Sequence, residues 1–187
     1  MATNSPSLWI DFLPATFADS NKYTRGHAVV FGGFPQTGAA RMAARAAARM
    51  GAGLTTIAVS TDALPVYAAA LESVMVKSIS ATIDFEQLIA DQRVTAFLIG
   101  PGAGVSESTR SRVLQLLSTG KPTVLDADAL TVFADDPSAL FNAIKGPCVL
   151  TPHEGEFGRI FDLQGSREVR AAEAAKQSNA IIVLKGS

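Results

Sequence analysis

Short apolar runs alternate along this chain with longer segments in which apolar and polar residues recur at helical spacing. Most of the short runs are continuously apolar, which is typical of parallel strands covered on both faces. The predicted strands are His27–Phe31, Leu54–Val59, Val74–Ser78, Ala96–Gly100, Thr123–Asp126, Cys148–Thr151 and Ile181–Lys185. The predicted helices are Ala39–Met50, Ala63–Leu71, Asp84–Asp91, Ser106–Ser118, Ala129–Phe133, Pro137–Ile144, Glu154–Phe161 and Arg167–Gln177. This alternation predicts an α/β fold, a three-layer α/β/α sandwich with a mainly parallel sheet.

The first predicted helix is rich in alanine, which lets its backbone approach the sheet closely. Arg41, Arg45 and Arg49 recur every four residues in it and therefore share one face. A solvated face is the ordinary interpretation of such charges. A contact between subunits is the alternative.

The segment before the first strand, residues 1–26, is predicted to be an irregular lead-in to a single α/β domain at 27–187. Its aromatic residues Trp9, Phe12 and Phe17 are expected to pack onto the body of the domain, since large aromatic side chains gain most by burial. The segment equally fits the tail of a linker from an upstream domain.

Composition excludes several classes of protein. With 48% hydrophobic and 18% charged residues among 187, the chain is too apolar to be disordered. A net charge of −1 argues against a dedicated nucleic-acid binder. The sequence has no apolar run long enough to span a bilayer and does not open on a secretion signal. One cysteine and two histidines exclude a disulfide framework and a standard zinc cluster. We expect a cytoplasmic protein without a membrane partner.

Chemistry-bearing residues follow five of the predicted strands. Ligands of open parallel sheets bind beyond the carboxyl ends of the strands, so this coincidence is the main functional signal. The five loops are Gly32–Ala39, Gly100–Gly104, Asp126–Asp128, Thr151–Glu156 and Lys185–Gly186.

The two glycine-rich loops each lead from a strand into a helix. Free backbone N–H groups and the helix dipole make such a turn a candidate anion site. The first loop matches neither a Walker A loop nor G-x-G-x-x-G, and its structural alternative is a tight turn that needs positive φ. The structural alternative for the second loop is a strand-to-helix turn of loose sequence. Ser106 is expected to cap the helix after the second loop.

The remaining loops carry charge. A carboxylate such as Asp126 at the end of a buried strand needs a cation, a hydrogen-bond donor or solvent, whereas Asp128 is expected to cap the next helix. His153 lies between Thr151, a candidate N-cap, and two glutamates. Lys185 ends an apolar strand, where it could meet a phosphate; the alternative is an ordinary surface lysine.

Seven strings distributed over nearly the whole chain resemble one family, the ADP/ATP-dependent NAD(P)H-hydrate dehydratases of the ribokinase-like superfamily. They are Lys22–His27, Thr37–Ala40, Gly51–Leu54, Gly100–Gly102, Leu125–Leu130, Thr151–His153 with Glu156–Phe157, and Leu184–Gly186. In bifunctional members of the family, a segment similar to Lys22–His27 joins this domain to an epimerase domain.

The resemblance implies a repair enzyme. A nucleotide, ADP or ATP with Mg²⁺, would phosphorylate the ring hydroxyl of hydrated NADH or NADPH, and loss of phosphate would restore the double bond. Phosphoryl transfer of this kind depends mainly on positioning and charge stabilisation.

The resemblance also implies roles for individual residues. Positions that contact the hydrated dinucleotide correspond to Gly38, Ala39, Gly102, Gly104 and His153. Glu156 corresponds to an acid that organises Mg²⁺ through water, and His153 occupies the Asn position of the superfamily's Asn-x-x-Glu motif. Positions that hold the nucleotide phosphates correspond to Lys185 and Gly186, and Asp126 lies beside the phosphate path.

The family pattern continues to a Gly-Ser-Gly-Asp motif, which supplies an anion hole and the catalytic base, and these 187 residues contain no such motif. We therefore expect an incomplete ribokinase-like domain. It would be either a fragment of a longer protein or a short homologue, and these 187 residues alone should have negligible activity. Alternatives are a small-molecule kinase of the same superfamily, acting on a vitamin precursor or sugar, and a non-catalytic nucleotide-binding module. A homo-oligomer is expected.

Overall fold

The computed structural model describes residues 3–13, 15 and 17–186. Its strands are β1 His27–Phe31, β2 Leu54–Val59, β3 Met75–Ser78, β4 Ala96–Ile99, β5 Thr123–Leu125, β6 Cys148–Leu150 and β7 Ile181–Ile182. Its α-helices are α1 Gly38–Arg49, α2 Leu64–Ala70, α3 Thr82–Ala90, α4 Glu107–Ser118, α5 Asp128–Thr131, α6 Pro137–Ala143, α7 Glu154–Ile160 and α8 Arg167–Ser178. Short 3₁₀ turns occupy Pro6–Leu8, Ile10–Phe12 and Thr61–Ala63. The bounds of the predicted elements are confirmed to within two residues, except that the last strand, predicted at Ile181–Lys185, ends at Ile182.

The seven strands form one sheet in the order β3-β2-β1-β4-β5-β6-β7, and every pair is parallel. All carboxyl ends therefore lie along one edge, as the sequence predicted. The order reverses between β1 and β4, which are central neighbours although β2 and β3 separate them in sequence. In sheets of this kind, such a switch point opens a crevice for ligands.

The helices cover the sheet in two layers. Val30 and Ile57 point to one face, where they pack with Ala40 and Ala44 of α1 and Tyr67 of α2. Side chains of β1 and β4–β6 that point the other way form a larger core with residues of α3–α8. Strand side chains alternate between faces, so one sheet supports both cores. The three-layer α/β/α sandwich is confirmed.

Helix α1 packs closely against the sheet because its inner positions are alanines. Ala40 and Ala44 are fully buried, and α1 contacts β1 and β2. On the arginine face Arg45 is exposed and donates to the backbone oxygen of Ala70 (2.8 Å), and Arg41 is half-buried. This face is therefore tethered to α2 at one point while remaining largely in solvent.

One row of apolar side chains crosses the sheet on the α1 side. Leu98, Val124, Val149 and Ile181 are in register on neighbouring strands. Val124 and Val149 are only half-buried, and Ile181 is 63% exposed. The sheet is thus less covered on this side than on the side of the larger core.

The lead-in does not pack as predicted. Trp9, Phe12 and Phe17 are 40%, 85% and 71% exposed, so the expectation that these aromatics anchor the segment to the domain is wrong. Local bonds hold the segment instead; the Trp9 indole, for example, donates to Asn4 (3.0 Å). In the part of the chain that the structure describes, no helix is long and apolar enough to cross a membrane.

Candidate functional site

The turn after β1 is held by the strand beside it and by a buried tyrosine. The Gly32 N–H donates to the Ala58 oxygen (2.8 Å), and the Tyr67 hydroxyl donates to the Gly33 oxygen (2.7 Å). The Phe34–Pro35 peptide is cis. These contacts place the turn at the carboxyl edge of the central strand.

The two glycine-rich turns touch each other through their backbones. A Cβ atom on Gly33 would lie 2.0 Å from the Gly102 oxygen, and one on Gly102 would lie 2.6 Å from the Gln36 oxygen. Neither space admits a side chain. Glycine at these positions thus allows the backbones that follow β1 and β4 to meet at the switch point.

The second turn also contacts the loop after β5. Gly100 has φ +136°, and a Cβ atom there would lie 1.7 Å from the Asp126 oxygen, so both conformation and space require glycine. Gly102 and Gly104 also have positive φ, at +69° and +80°. This loop is therefore not a turn of loose sequence, because three of its positions favour glycine. In the first loop Gly32, Gly33 and Gly38 do not have positive φ, so the interpretation of that loop as a turn that needs positive φ is wrong.

Asp128 does not cap the helix that follows it, contrary to the sequence prediction. It is the first residue of α5, Ala127 occupies the cap position, and Asp128 Oδ2 accepts from the Gly104 N–H (2.8 Å). Ala127 has φ +50°, a conformation that is uncommon for a residue with a side chain. That turn lets Asp128 fix the glycine loop of β4 instead of its own helix.

Asp126 is the centre of a polar cluster. Its Oδ1 accepts from the Thr151 hydroxyl (2.8 Å) and lies 2.6 Å from Lys185 Nζ. Lys185 Nζ also lies 3.8 Å from Glu156 Oε2. The carboxylate thus has the cation and the donor that its position at a strand end demands.

His153, not Thr151, is the N-cap of α7. His153 Nδ1 accepts from the N–H groups of Gly155 (2.9 Å) and Glu156 (3.1 Å), and Glu156 Oε2 accepts from the His153 N–H (2.9 Å). Since Nδ1 accepts, the neutral ring carries its proton on Nε2, which lies 3.3 Å from Glu156 Oε1. Glu156 is buried, with 6% exposure. The reciprocal cap therefore also supplies a hydrogen bond to a carboxylate that is removed from water.

An ion-pair cluster that the sequence does not predict lies beside the last loop. Glu154 accepts from Arg167 (3.0 Å) and Arg170 (2.8 Å), and these bonds hold the pKa of Glu154 below its usual range, that of Arg170 being the larger cause. A Cβ atom on Gly186 would lie 1.9 Å from Arg167 Nη1. The residues are 13 and 16 positions apart, and no local pattern signals such a pair.

The five predicted loops thus form one connected line along the sheet edge. It runs from Gly33 through Gly102, Asp126 and Lys185 to His153. Gly38 and Ala39 lie at the start of α1, after the first turn, and both are exposed. Lys185 also pairs with His153 through the backbone as an isolated parallel bridge.

Space for a ligand lies behind the glycine turns. A cavity of about 200 Å³ is lined by Gly33, Gly102, Ser60 and Arg112, among others. Larger cavities, of about 450 and 590 Å³, lie away from this edge. Among the described residues, no three His, Cys, Asp or Glu side chains are placed to hold a metal ion by themselves.

A parallel sheet with a crevice at its switch point, glycine turns and a Lys–Asp–Glu cluster on one edge defines an α/β protein of the ribokinase-like class. A ribokinase-like superfamily protein from Enterococcus faecalis aligns with 98% of this chain and 65% of its own, at a TM-score of 0.81 and 25% identity. Residues 28–187 match the carbohydrate-kinase-type family of NAD(P)H-hydrate dehydratases, and the chain belongs to this family.

The relatives that this chain matches are longer than the chain itself. The bifunctional NAD(P)H-hydrate repair enzyme of Coxiella burnetii is 35% identical over 93% of this chain and 36% of its own length. The ADP-dependent (S)-NAD(P)H-hydrate dehydratase of Bacillus subtilis is 32% identical over 94% of this chain and 63% of its own. A structure of the Bacillus subtilis dehydratase co-crystallised with ATP and Mg²⁺ aligns at a TM-score of 0.77, covering 93% and 62% of the two chains. The chain therefore spans less than two thirds of these relatives.

Proposed function

We propose that this chain acts in the nucleotide-dependent dehydration of hydrated NADH or NADPH, a metabolite-repair reaction. The observation that carries the proposal is the joining of the glycine turns to the Asp126–Lys185 cluster along one sheet edge, in a chain of this family. The glycine turns can bind one ligand through their backbone groups, and the charged side chains of the cluster can bind another.

The dinucleotide is assigned to the glycine side of the edge. Thr37 precedes α1 without capping it through its side chain, so N–H groups of the first turn remain available to an anion. Gly38 has open space beside it, which lets a ligand approach the helix start. Gly102 and Gly104 would supply further contacts to the dinucleotide, as the family resemblance suggests. The resemblance assigns His153 to the dinucleotide as well; because His153 lies beside Lys185, it would contact the dinucleotide at the end that faces the phosphoryl donor.

The phosphoryl donor, ADP or ATP, is assigned to the cluster at the other side. Lys185 and the backbone of Gly186 would hold its phosphates, with Asp126 orienting the lysine. Both oxygens of Glu156 already contact His153, so this carboxylate suits Mg²⁺ bound through water rather than direct ligation. When bound, Mg²⁺ supplies charge neutralisation for the transferred phosphoryl group.

The proposal predicts binding without efficient turnover by the 187-residue polypeptide. These residues contain no Gly-Ser-Gly-Asp sequence, and loss of a general base typically lowers a rate by roughly 10²–10⁴. Asp126, engaged by Lys185 and Thr151, is not free to replace it. Near-normal turnover of hydrated NADH by a preparation of this mass would contradict the assignment.

Calorimetry of the same polypeptide with NADPH, its hydrate and ADP tests the two sides. We expect the dinucleotide to bind more tightly than ADP. Gly38→Phe should weaken dinucleotide binding by blocking the helix start, and His153→Ala should weaken it by about 0.5–1.5 kcal/mol through loss of one polar contact. Gly158→Ala serves as a control, since its Cβ would meet nothing within 4 Å and it lies outside the proposed contacts. Tight ADP binding without dinucleotide binding would show that the two ligands are assigned to the wrong sides of the edge.

The proposal extends to assembly and location: a homo-oligomer in the cytoplasm. The exposed side chain of Met42, beside the arginine face of α1, supports a contact between subunits there. Light scattering of the wild type and of Met42→Glu tests this oligomeric contact. A monomeric wild type would contradict it.

A further inference from the structure

The Lys22–His27 segment, which the proposed function leaves without a role, lies at the opposite edge of the sheet from the candidate site. His27 opens β1, whereas Gly32 follows its last residue. Five residues of extended strand separate the two edges by about 16 Å. The segment therefore cannot act on a ligand held by the glycine turns.

A cavity of about 590 Å³ lies at this second edge. Lys22 and Tyr23 line it from the lead-in, and the first halves of β1, β2 and β3 and the end of α3 complete it. A volume between 300 and 1,000 Å³ is usual for small-molecule sites. The space is thus large enough for a ring with one substituent.

The floor of this cavity is apolar with one polar pair. The side chains of Leu54 and Leu88 line it, and the His27 ring contacts the Thr56 hydroxyl (Nε2–Oγ1 2.8 Å). Burial lowers the pKa of His27, so the ring is neutral at neutral pH. An apolar surface with a single hydrogen-bonding pair fits the ring of an organic ligand better than a fully hydrated ion.

The rim carries positive charge. Lys22, Lys77 and Arg93 face the cavity against one carboxylate, Asp91, which Arg93 already engages at 2.8 Å. Lys121 donates to the carbonyl oxygens of Ile89, in the last turn of α3 (3.0 Å), and of Asp91, which follows the helix (2.8 Å), and so offsets the negative end of α3. An anion at the rim therefore meets excess positive charge.

We propose that this cavity is a second ligand site, which binds a small phosphate monoester that carries an aromatic ring. Lys22 and Lys77 hold the phosphate, while the ring lies on the apolar floor beside Tyr23 and Met75, both exposed there. The proposal rests on this cavity alone and stands whether or not the chain acts in dehydration.

The test is a titration of the 187-residue polypeptide with phenyl phosphate, followed by amide NMR. We expect saturable shifts at His27, Thr56 and Met75, and weaker binding of both phenol and inorganic phosphate. Lys77→Glu should raise the dissociation constant at least tenfold, because the residue is exposed and its change reverses the rim charge. Lys22→Glu is the second variant and should act in the same direction.

Two controls separate this cavity from the candidate site at the opposite edge of the sheet. Lys145→Glu makes the same charge change at an exposed position outside the cavity and should leave the dissociation constant unchanged. Lys185→Ala alters the opposite edge and should also leave it unchanged. Shifts confined to the surroundings of Lys185, equal binding of inorganic phosphate, or no shifts at 20 mM ligand would each overturn the proposal.

Discussion

Gly33→Ala should destabilise the protein although it adds a single methyl group. The new Cβ would lie 2.0 Å from the Gly102 oxygen and 2.5 Å from its Cα, while real Cβ contacts almost never fall below 3.0 Å. The turns must therefore separate by about 1 Å, and Gln36 leaves Gly102 little room to retreat. Overpacking of this kind costs about 1–3 kcal/mol, and the rigid backbone on both sides favours the upper value.

Urea denaturation measures this cost directly. With a slope of about 3 kcal/mol per molar for a chain of this size, the midpoint should fall by up to about 1 M. Gly38→Ala in the same loop is the matched control, because nothing lies within 4 Å of its Cβ position. The control should stay within about 0.5 kcal/mol of wild type or gain slightly at the helix start. Equal midpoints for the two variants would refute the backbone contact between the turns.

Three further outcomes are expected. His153→Ala should lower the free energy of unfolding by about 1 kcal/mol through loss of the α7 cap, whereas His153→Asn, which can still cap, should lose less; equal losses in urea would exclude the capping role. Cys148, whose pKa burial raises to about 12, should resist Ellman's reagent at pH 8 until the protein unfolds, and fast labelling of folded protein would contradict its burial. Hydrogen bonds from Arg93 lower the pKa of Asp91 to about 2, below its unfolded value, so the stabilisation is present above about pH 4 and lost as the pH falls towards 2. The stability difference between wild type and Asp91→Asn should shrink over that range, and a constant difference would argue against the pair.

Periodicity predicted the strands and their common edge because both depend on local pattern. It also predicted that Asp126 needs a partner, and the structure supplies Thr151 and Lys185. The ion pair itself joins residues 59 positions apart, so only the sheet order brings them together. Strand β7 is shorter than predicted. Val183 and Lys185 still donate to the oxygens of Leu150 (2.9 Å) and Pro152 (2.8 Å), but the proline has no N–H with which to continue the ladder from the side of β6.

Other details depended on backbone geometry that residue type does not signal. Asp128 has the usual identity of a cap, but the φ of +50° at Ala127 directs it to Gly104. Alanine gives no warning of that conformation. The prediction that the aromatic residues of the lead-in pack onto the domain depends on the free energy gained when large rings are buried. Phe12 and Phe17 are nevertheless exposed. Hydrophobicity alone does not specify what a side chain can reach.

The strand order also determines when the candidate site can form during folding. Strands β1 and β2 can pair as soon as α1 connects them, but β1 must wait for β4, whose partner residues Ala28 and Ala96 are 68 positions apart. Closing so long a loop is entropically slow compared with local pairing. During synthesis, the Gly33 turn therefore emerges well before Gly102, the backbone it must meet. Assembly of the ligand crevice is a late event, and the first half of the chain must persist without it.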